Sequence, residues 1–249
     1  MSDRSEKNRL EWIFLAEVDS TNTYLLDRLS LLNRATLVSA HQQTAGRGRQ
    51  SKVWNSQPGM QLMFSLYWPW QARHSPAALS VAVAKALAEY LTSSVTGVSV
   101  KVKWPNDLQI NGQKLAGILL ETQTQGNQTA VIIGVGINYA SLSPDLRALI
   151  GQPAASLADH SDCLPSRDAL LVGLVDVILG VCEIGQNVGF EGLLHNWKAV
   201  DALLGQKIEV TQPNQNIQGI ADGVDSSGAL RIEVKDEIQL IYSGTIRKL

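Results

Sequence analysis

The chain has 249 residues, 45% hydrophobic and 18% charged, so it can bury a sizeable core unaided and lacks the composition of a disordered segment. Its 21 Lys and Arg against 23 Asp and Glu leave a net charge of −2, too little bias to make nucleic acid or a membrane surface the main partner. Cys163 and Cys182 match no metal-ligand spacing, and neither do the four histidines. The N-terminus has no signal-peptide core, and no run reaches the roughly 18 apolar residues of a membrane span. The expectation is a cytoplasmic protein with reduced thiols, no metal held by its own ligands, and either one large domain or a medium one with a small companion.

In chain order, Asp19-Ser20-Thr21-Asn22 offers helix caps ahead of Tyr24, Leu25, Leu26 and Leu29, which predicts a short amphipathic helix. Ala35 to His41 reads as a strand, and a polar, Gly-rich loop runs from Gln42 to Ser51. Leu62 to Trp68 has strand period. Ser75-Pro76 supplies an N-cap and first-turn proline for an Ala/Leu/Val helix to about Leu91. Val98 to Trp104 reads as a further strand. Leu108–Ile110 and Leu115–Glu121 flank Asn111-Gly112, a type I′ hairpin signal. A loop over Gln123 to Gln128 leads into a strand from Ala130 to Ile137. These elements predict an α/β (α+β) fold with one mixed, mainly antiparallel sheet and helices on one face.

Ser166 begins a long helix, and a shorter one is expected over Phe190 to Val200. Tight alternation then takes over at Ile208–Val210, Ile217–Ile220, Leu230–Val234 and Ile238–Ile241. Turns fall at Pro213-Asn214 and Asp225–Gly228. So many short strands imply a small barrel or meander. The division is therefore 1–201 for a larger domain and 202–249 for a small β-domain.

Four segments can carry chemistry. In Gln43-Thr44-Ala45-Gly46-Arg47-Gly48-Arg49, glycine permits close backbone approach and arginine offers paired donors to phosphate or carboxylate; a solvated basic turn is the plain alternative. No Gly-Lys-Ser/Thr closes it, so it is not a Walker loop. Lys103-Trp104-Pro105-Asn106-Asp107 is by itself as consistent with core and turn residues as with a site. Lys114 opens an otherwise apolar strand beside Ala116 and Gly117, either as a cleft-rim lysine or an exposed hairpin lysine. Gly134-Val135-Gly136-Ile137-Asn138 lacks the third glycine of a dinucleotide fingerprint.

The order and spacing of these segments, with Asp19-Ser20-Thr21-Asn22 ahead of them, resemble biotin–protein ligases from about residue 12 to the C-terminus. The resemblance implies that biotin and ATP form biotinyl-5′-AMP and pyrophosphate, and that biotin then passes to one lysine of the biotin carboxyl carrier protein of a carboxylase such as acetyl-CoA carboxylase. It implies a catalytic domain like that of class II aminoacyl-tRNA synthetases, with a terminal barrel similar to the src-homology-3 fold.

Carried over residue by residue, Ser20, Thr21, Asn22 and Gln43 bind biotin, the first two and Gln43 at its ureido ring. Arg47, with Gly48 beside it, contacts biotin carboxylate and phosphate, and Arg49 the ATP phosphates. Lys114 sits at the reacting carboxylate. Gly117, Gly134 and Gly136 let ring and tail lie against strand backbone. Trp54 covers the intermediate, Asn138 contacts the adenylate, and Trp104, Asn106 and Asp107 shape the ATP side, where Mg²⁺ bridges phosphates. Asp107 also assists removal of the acceptor-lysine proton, and the loop from Arg47 to Trp54 orders over the anhydride to exclude water.

Gln50-Ser51-Lys52 departs from the basic residue and glycine usual after Arg49, which implies looser loop closure or different partners. Leu249 stands where the family ends in arginine, with Arg247 or Lys248 as substitutes. About a dozen residues before the catalytic region leave no room for a helix-turn-helix, so no DNA partner is expected, and no membrane. Whether the protein is a monomer or a homodimer paired through sheet edges stays open. Lipoate–protein ligases share the fold, but the arginine–glycine loop together with Lys-Trp-Pro-Asn-Asp points to biotin. A non-catalytic sensor of biotinyl-adenylate is the rival from another class.

Overall fold

The computed structural model describes residues 10–71, 74–125 and 128–249. Strand β1 (Glu11–Val18) lies parallel to β2 (Thr36–Gln43), and helix α1 (Thr21–Leu26) connects them. Ser20 caps α1, its hydroxyl accepting from Thr23 N, as the sequence predicts. Strands β3 (Gln61–Trp70), β4 (Lys101–Lys103), β5 (Asp107–Ile110), β6 (Gln113–Gln125) and β7 (Gln128–Asn138) complete a seven-stranded sheet. Its order is β1-β2-β3-β7-β6-β5-β4, antiparallel except for β1–β2.

The period-two pattern of β3 separates two covered faces rather than a buried face from a wet one. Leu62, Phe64 and Leu66 join the core built with helices α2 (Leu79–Ser94) and α4 (Arg167–Asn187), whereas Tyr67 packs with Leu25 and Leu29 beneath α1. A central strand covered on both sides reads as a continuous apolar run. Each buried Leu or Phe contributes about 1.5–3 kcal/mol. The long helices thus share one face, as expected, and the short α1 takes the other. That second face, with α1 covering one end, carries the site.

The Asn111-Gly112 turn forms as predicted, with φ of 50° and 79°. The strand expected over Val98 to Trp104 is confined to Lys101–Lys103, because β5 offers only four residues to pair with; Val98 and Val100 are buried outside the ladder. The loop expected over Gln123 to Gln128 is shorter, since β6–β7 pairing runs out to Gln125 and Gln128; residues 126 and 127 of that loop lie outside the described residues. The helix expected over Phe190 to Val200 is broken: α5 spans Glu191–Leu194 and a 3-10 turn spans Trp197–Ala199. Asn196 between them is left-handed at φ 57°. Two elements escaped the sequence reading, edge strand β1 and helix α3 (Pro144–Ile150). Of the two thiols, Cys182 is buried and Cys163 is exposed.

The terminal segment forms β8 (Lys207–Gln212), β9 (Gln215–Val224), β10 (Leu230–Val234), β11 (Glu237–Ile241) and β12 (Thr245–Lys248). Their order is β11-β10-β9-β8-β12, all antiparallel. Asp225 closes the β9–β10 turn by accepting from Ser227 N and Ala229 N. Trp104, 2% exposed, donates its indole N–H to Gly228 O in that turn at 2.9 Å, which fastens the small sheet beside β4.

Candidate functional site

A cavity of about 210 Å³ lies between the α1 face of the large sheet, the loop after β2 and strand β12. Every site residue anticipated from the sequence lines it. They gather because β3, β6 and β7 are adjacent, so Ser65, Gly117, Gly134 and Gly136 share one patch of sheet while α1 and the loop wall it.

One end is neutral and buried. Gln43 Oε1 accepts from Thr21 N at 2.7 Å and lies 3.1 Å from Thr21 Oγ1. Ser65 Oγ lies 2.6 Å from Thr21 Oγ1 and bonds Asn22 Oδ1. Asn22 Nδ2 donates to Glu121 Oε2 at 2.7 Å. Ser20, Thr21, Asn22 and Ser65 are all buried, so this network carries donors and acceptors where water cannot compete.

The other end is cationic. Lys114 Nζ sits 2.7 Å from Asp107 Oδ1, and Arg49 NH1 donates to Asn106 Oδ1 at 3.0 Å. Burial lowers the pKa of Arg49, with Asp107 opposing. Lys103 is lowered too, chiefly by burial; Asp107 opposes this, while Lys114, Lys248 and Lys52 add to it. Several cations therefore crowd around the single carboxylate of Asp107, the arrangement that a polyanion completes.

The loop between these ends is a tight hairpin. Gly48 N donates to Lys52 O at 2.7 Å, Trp54 N to Gly46 O at 2.9 Å, and Arg47 bridges Val53. Gln50-Ser51-Lys52 finds a partner outside the loop. Gln50 takes the left-handed conformation, φ 54°, that a glycine would adopt freely, and its Oε1 accepts from Thr245 Oγ1 on β12 at 3.1 Å.

Several of these site residues are engaged by the chain's own groups. Arg47 points to Glu121, NH2 to Oε2 at 2.7 Å. The close approach expected at three glycines is made by the chain's own side chains. A Cβ on Gly134 would overlap Asn22 Oδ1; on Gly136 it would lie 2.5 Å from the Trp54 ring, and on Gly117 3.5 Å from Lys114 Nζ. Trp54 thus lies within the cavity, its Nε1–H buried without a partner among the described residues. Asn138 Nδ2 is engaged by Ala155 O at 2.9 Å and Lys114 O at 3.4 Å, which leaves Oδ1 for any ligand. Of the two substitutes for a terminal arginine, Arg247 pairs with Glu209 and is mostly exposed. Lys248 donates to Ala202 O and lies close enough to act on Lys103.

Ser65, Lys103 and Glu121 were not picked out as site residues. A hydroxyl inside an apolar run and a carboxylate closing one were available signals, since each needs a buried partner.

Comparison with known proteins agrees with this geometry. The model of the Biotin/lipoate A/B protein ligase family matches residues 14–138, and that of the Biotin protein ligase C terminal domain matches residues 203–249. The chain is 34% identical over 236 residues to the bifunctional ligase/repressor BirA of Escherichia coli, spanning 93% of this chain and 72% of that one. It is 32% identical over 220 residues to the biotin–[acetyl-CoA-carboxylase] ligase of Paracoccus denitrificans, spanning 87% and 91%. The structure of the biotin protein ligase from Aquifex aeolicus in complex with biotin and ATP superposes with a TM-score of 0.77 at 25% identity, covering 96% of this chain and 99% of that one. Both sheets and the cavity between them fall within these matches, and this chain belongs to the biotin protein ligase family.

Proposed function

We propose that this chain activates biotin with ATP to biotinyl-5′-AMP, releasing pyrophosphate, and transfers the biotinyl group to a lysine of a biotin carboxyl carrier protein. The observation that carries this reading is the pairing, in one cavity, of a neutral hydrogen-bonding end with a cationic end. The first suits a ureido ring, which both donates and accepts; the second suits phosphates. The relatives' names and the Aquifex complex support the same substrates. Residues 1–201 supply the catalytic domain and 202–249 a small domain that carries Thr245 to the cavity.

Ser20, Thr21, Asn22 and Gln43 hold the ring. Arg47, Arg49 and Lys114 then neutralise carboxylate and phosphate, which otherwise repel as a carboxylate oxygen attacks the α-phosphorus and pyrophosphate departs. Arg49, Asn106 and Trp104 lie on the nucleotide side, and Asn138 Oδ1 meets the adenylate. Trp54 moves from its berth over Gly117 and Gly136 to cover the intermediate. In the second step the carrier's lysine amine attacks the acyl carbon, Asp107 takes its proton, and AMP leaves with the electron pair. Among the described residues no three His, Cys, Asp or Glu side chains cluster, so Mg²⁺ fits as an ion carried on the ATP phosphates rather than in a cage of side chains.

Mass spectrometry of a carrier domain incubated with the protein, ATP, Mg²⁺, biotin and lipoate tests the reading. The expected product is one lysine gaining a biotinyl group; lipoylation, or tight ligand retention without transfer, refutes it.

A further inference from the structure

Glu121 is the last inward residue of β6 before the strand leaves the cavity, and its side chain stands behind Arg47 rather than on the cavity wall. A carboxylate so close to two anionic substrates is a liability unless it has a task. One oxygen, Oε2, accepts from both Asn22 Nδ2 and Arg47 NH2, each at 2.7 Å. Asn22 Oδ1 in turn accepts from Ser65 Oγ, which meets Thr21 Oγ1, and Thr21 N donates to Gln43 Oε1. An unbroken chain of hydrogen bonds therefore joins the neutral end to the arginine of the charged end.

We infer that Glu121 is a positioning residue: its Oε2 sets the Asn22 carboxamide and the Arg47 guanidinium against each other, so that the groups meeting the ring and the acyl end are oriented as one unit. A guanidinium has five N–H donors, and the contact with Glu121 engages one nitrogen, so Arg47 keeps donors for the substrate. Because Oε2 receives both bonds, Asn22 presents its oxygen, not its nitrogen, to Ser65. This inference rests on the biotin-activating reading above. It extends that reading to a residue acting through Arg47 and Asn22 rather than on substrate.

The test compares two conservative variants in biotin-dependent pyrophosphate release from ATP. Glu121→Gln keeps the reach and an accepting oxygen, and should stay within about threefold of the parent. Glu121→Asp keeps the charge but falls one methylene short, and should lose about 10- to 100-fold with its melting temperature unchanged. In an Arg47→Ala background, Glu121→Asp should add less than about threefold. The inference is overturned if Asp retains activity while Gln does not, if the losses multiply in the double variant, or if the loss follows a lowered melting temperature. An unmodified protein that releases no pyrophosphate overturns the functional reading, and this inference with it. Normal release matched by Glu121→Asp overturns the inference alone.

Discussion

The two ends of the cavity obey opposite rules. Around Thr21, Asn22, Gln43 and Ser65 the polar groups find partners within the protein, and the four are largely or wholly shielded from water. Around Arg49, Lys103 and Lys114 positive charge exceeds negative, and Lys103 is held below the ordinary lysine range by burial and by neighbouring ammonium groups. A satisfied network selects by shape and hydrogen-bond pattern at little electrostatic cost. An unbalanced cationic cluster stores repulsion that an anion relieves, so it favours phosphate and transition-state charge. Recognition and chemistry are thereby assigned to different physics within one pocket.

The sharpest way to break this contrast is to remove a charge where it reacts. Lys114→Ala should reduce pyrophosphate release and carrier labelling by about 10²- to 10³-fold, because it deletes the ammonium and leaves Asp107 facing developing negative charge. The fold should survive, since Lys114 is tied to the 153–155 segment through its backbone, N to Pro153 O and O to Ala155 N. An unchanged melting curve with near-normal labelling would remove Lys114 from the mechanism.

A smaller effect is expected at the neutral end. Gly134→Ala places a methyl group where Asn22 Oδ1 sits, so Asn22 must swing away and the network opens. The biotin KM should rise by about tenfold, the cost of one or two hydrogen bonds, with the ATP KM little changed. A rise confined to ATP would mean that the two ends are not separable.

The smallest effect sharpens the comparison through pH. The folded-state pKa of Lys103 is depressed, chiefly by burial, so it loses its proton at a lower pH than in the unfolded chain. Folding stability from this group is therefore poorest at lower pH and improves as pH rises past its folded pKa, while phosphate affinity moves the opposite way. The ATP KM should climb, by a few-fold, at a pH below the ordinary lysine range. Lys103→Arg should abolish that climb, because guanidinium stays charged. A KM flat with pH in the parent would show that Lys103 does not meet the phosphates.

Local signals carried the fold where they were local in origin. Ser20 and Ser166 cap the helices they were expected to cap, Ser75 caps instead the 3-10 turn Pro76–Ala78 that leads into α2, and Asn111-Gly112 turns the hairpin, because a cap or tight turn depends only on residues a few positions apart. They failed where pairing or cover decided. Val98–Val100 stay outside the ladder for want of a partner strand, and Asn196 breaks a helix that composition alone allowed. At the site, the arginine–glycine loop, Lys114 and the Asp19–Asn22 cap were legible as motifs. Glu121 offered only the signal of a carboxylate closing an apolar strand; which groups it meets comes from Asn22, 99 residues away, and Arg47, 74 away.

The sequence by itself determined which residues would be present and what they could do chemically, since guanidinium, ammonium and carboxamide groups bring their donors and charges with them. It also determined the local turns and caps. The tertiary structure alone decided which of those groups face one another: Arg47 toward Glu121, Trp54 into the space over Gly136, Gln50 onto Thr245, and Arg247 onto Glu209. The reason is that strand order and register set such encounters. These follow from burying two faces of a sheet at once, which no short stretch of chain encodes.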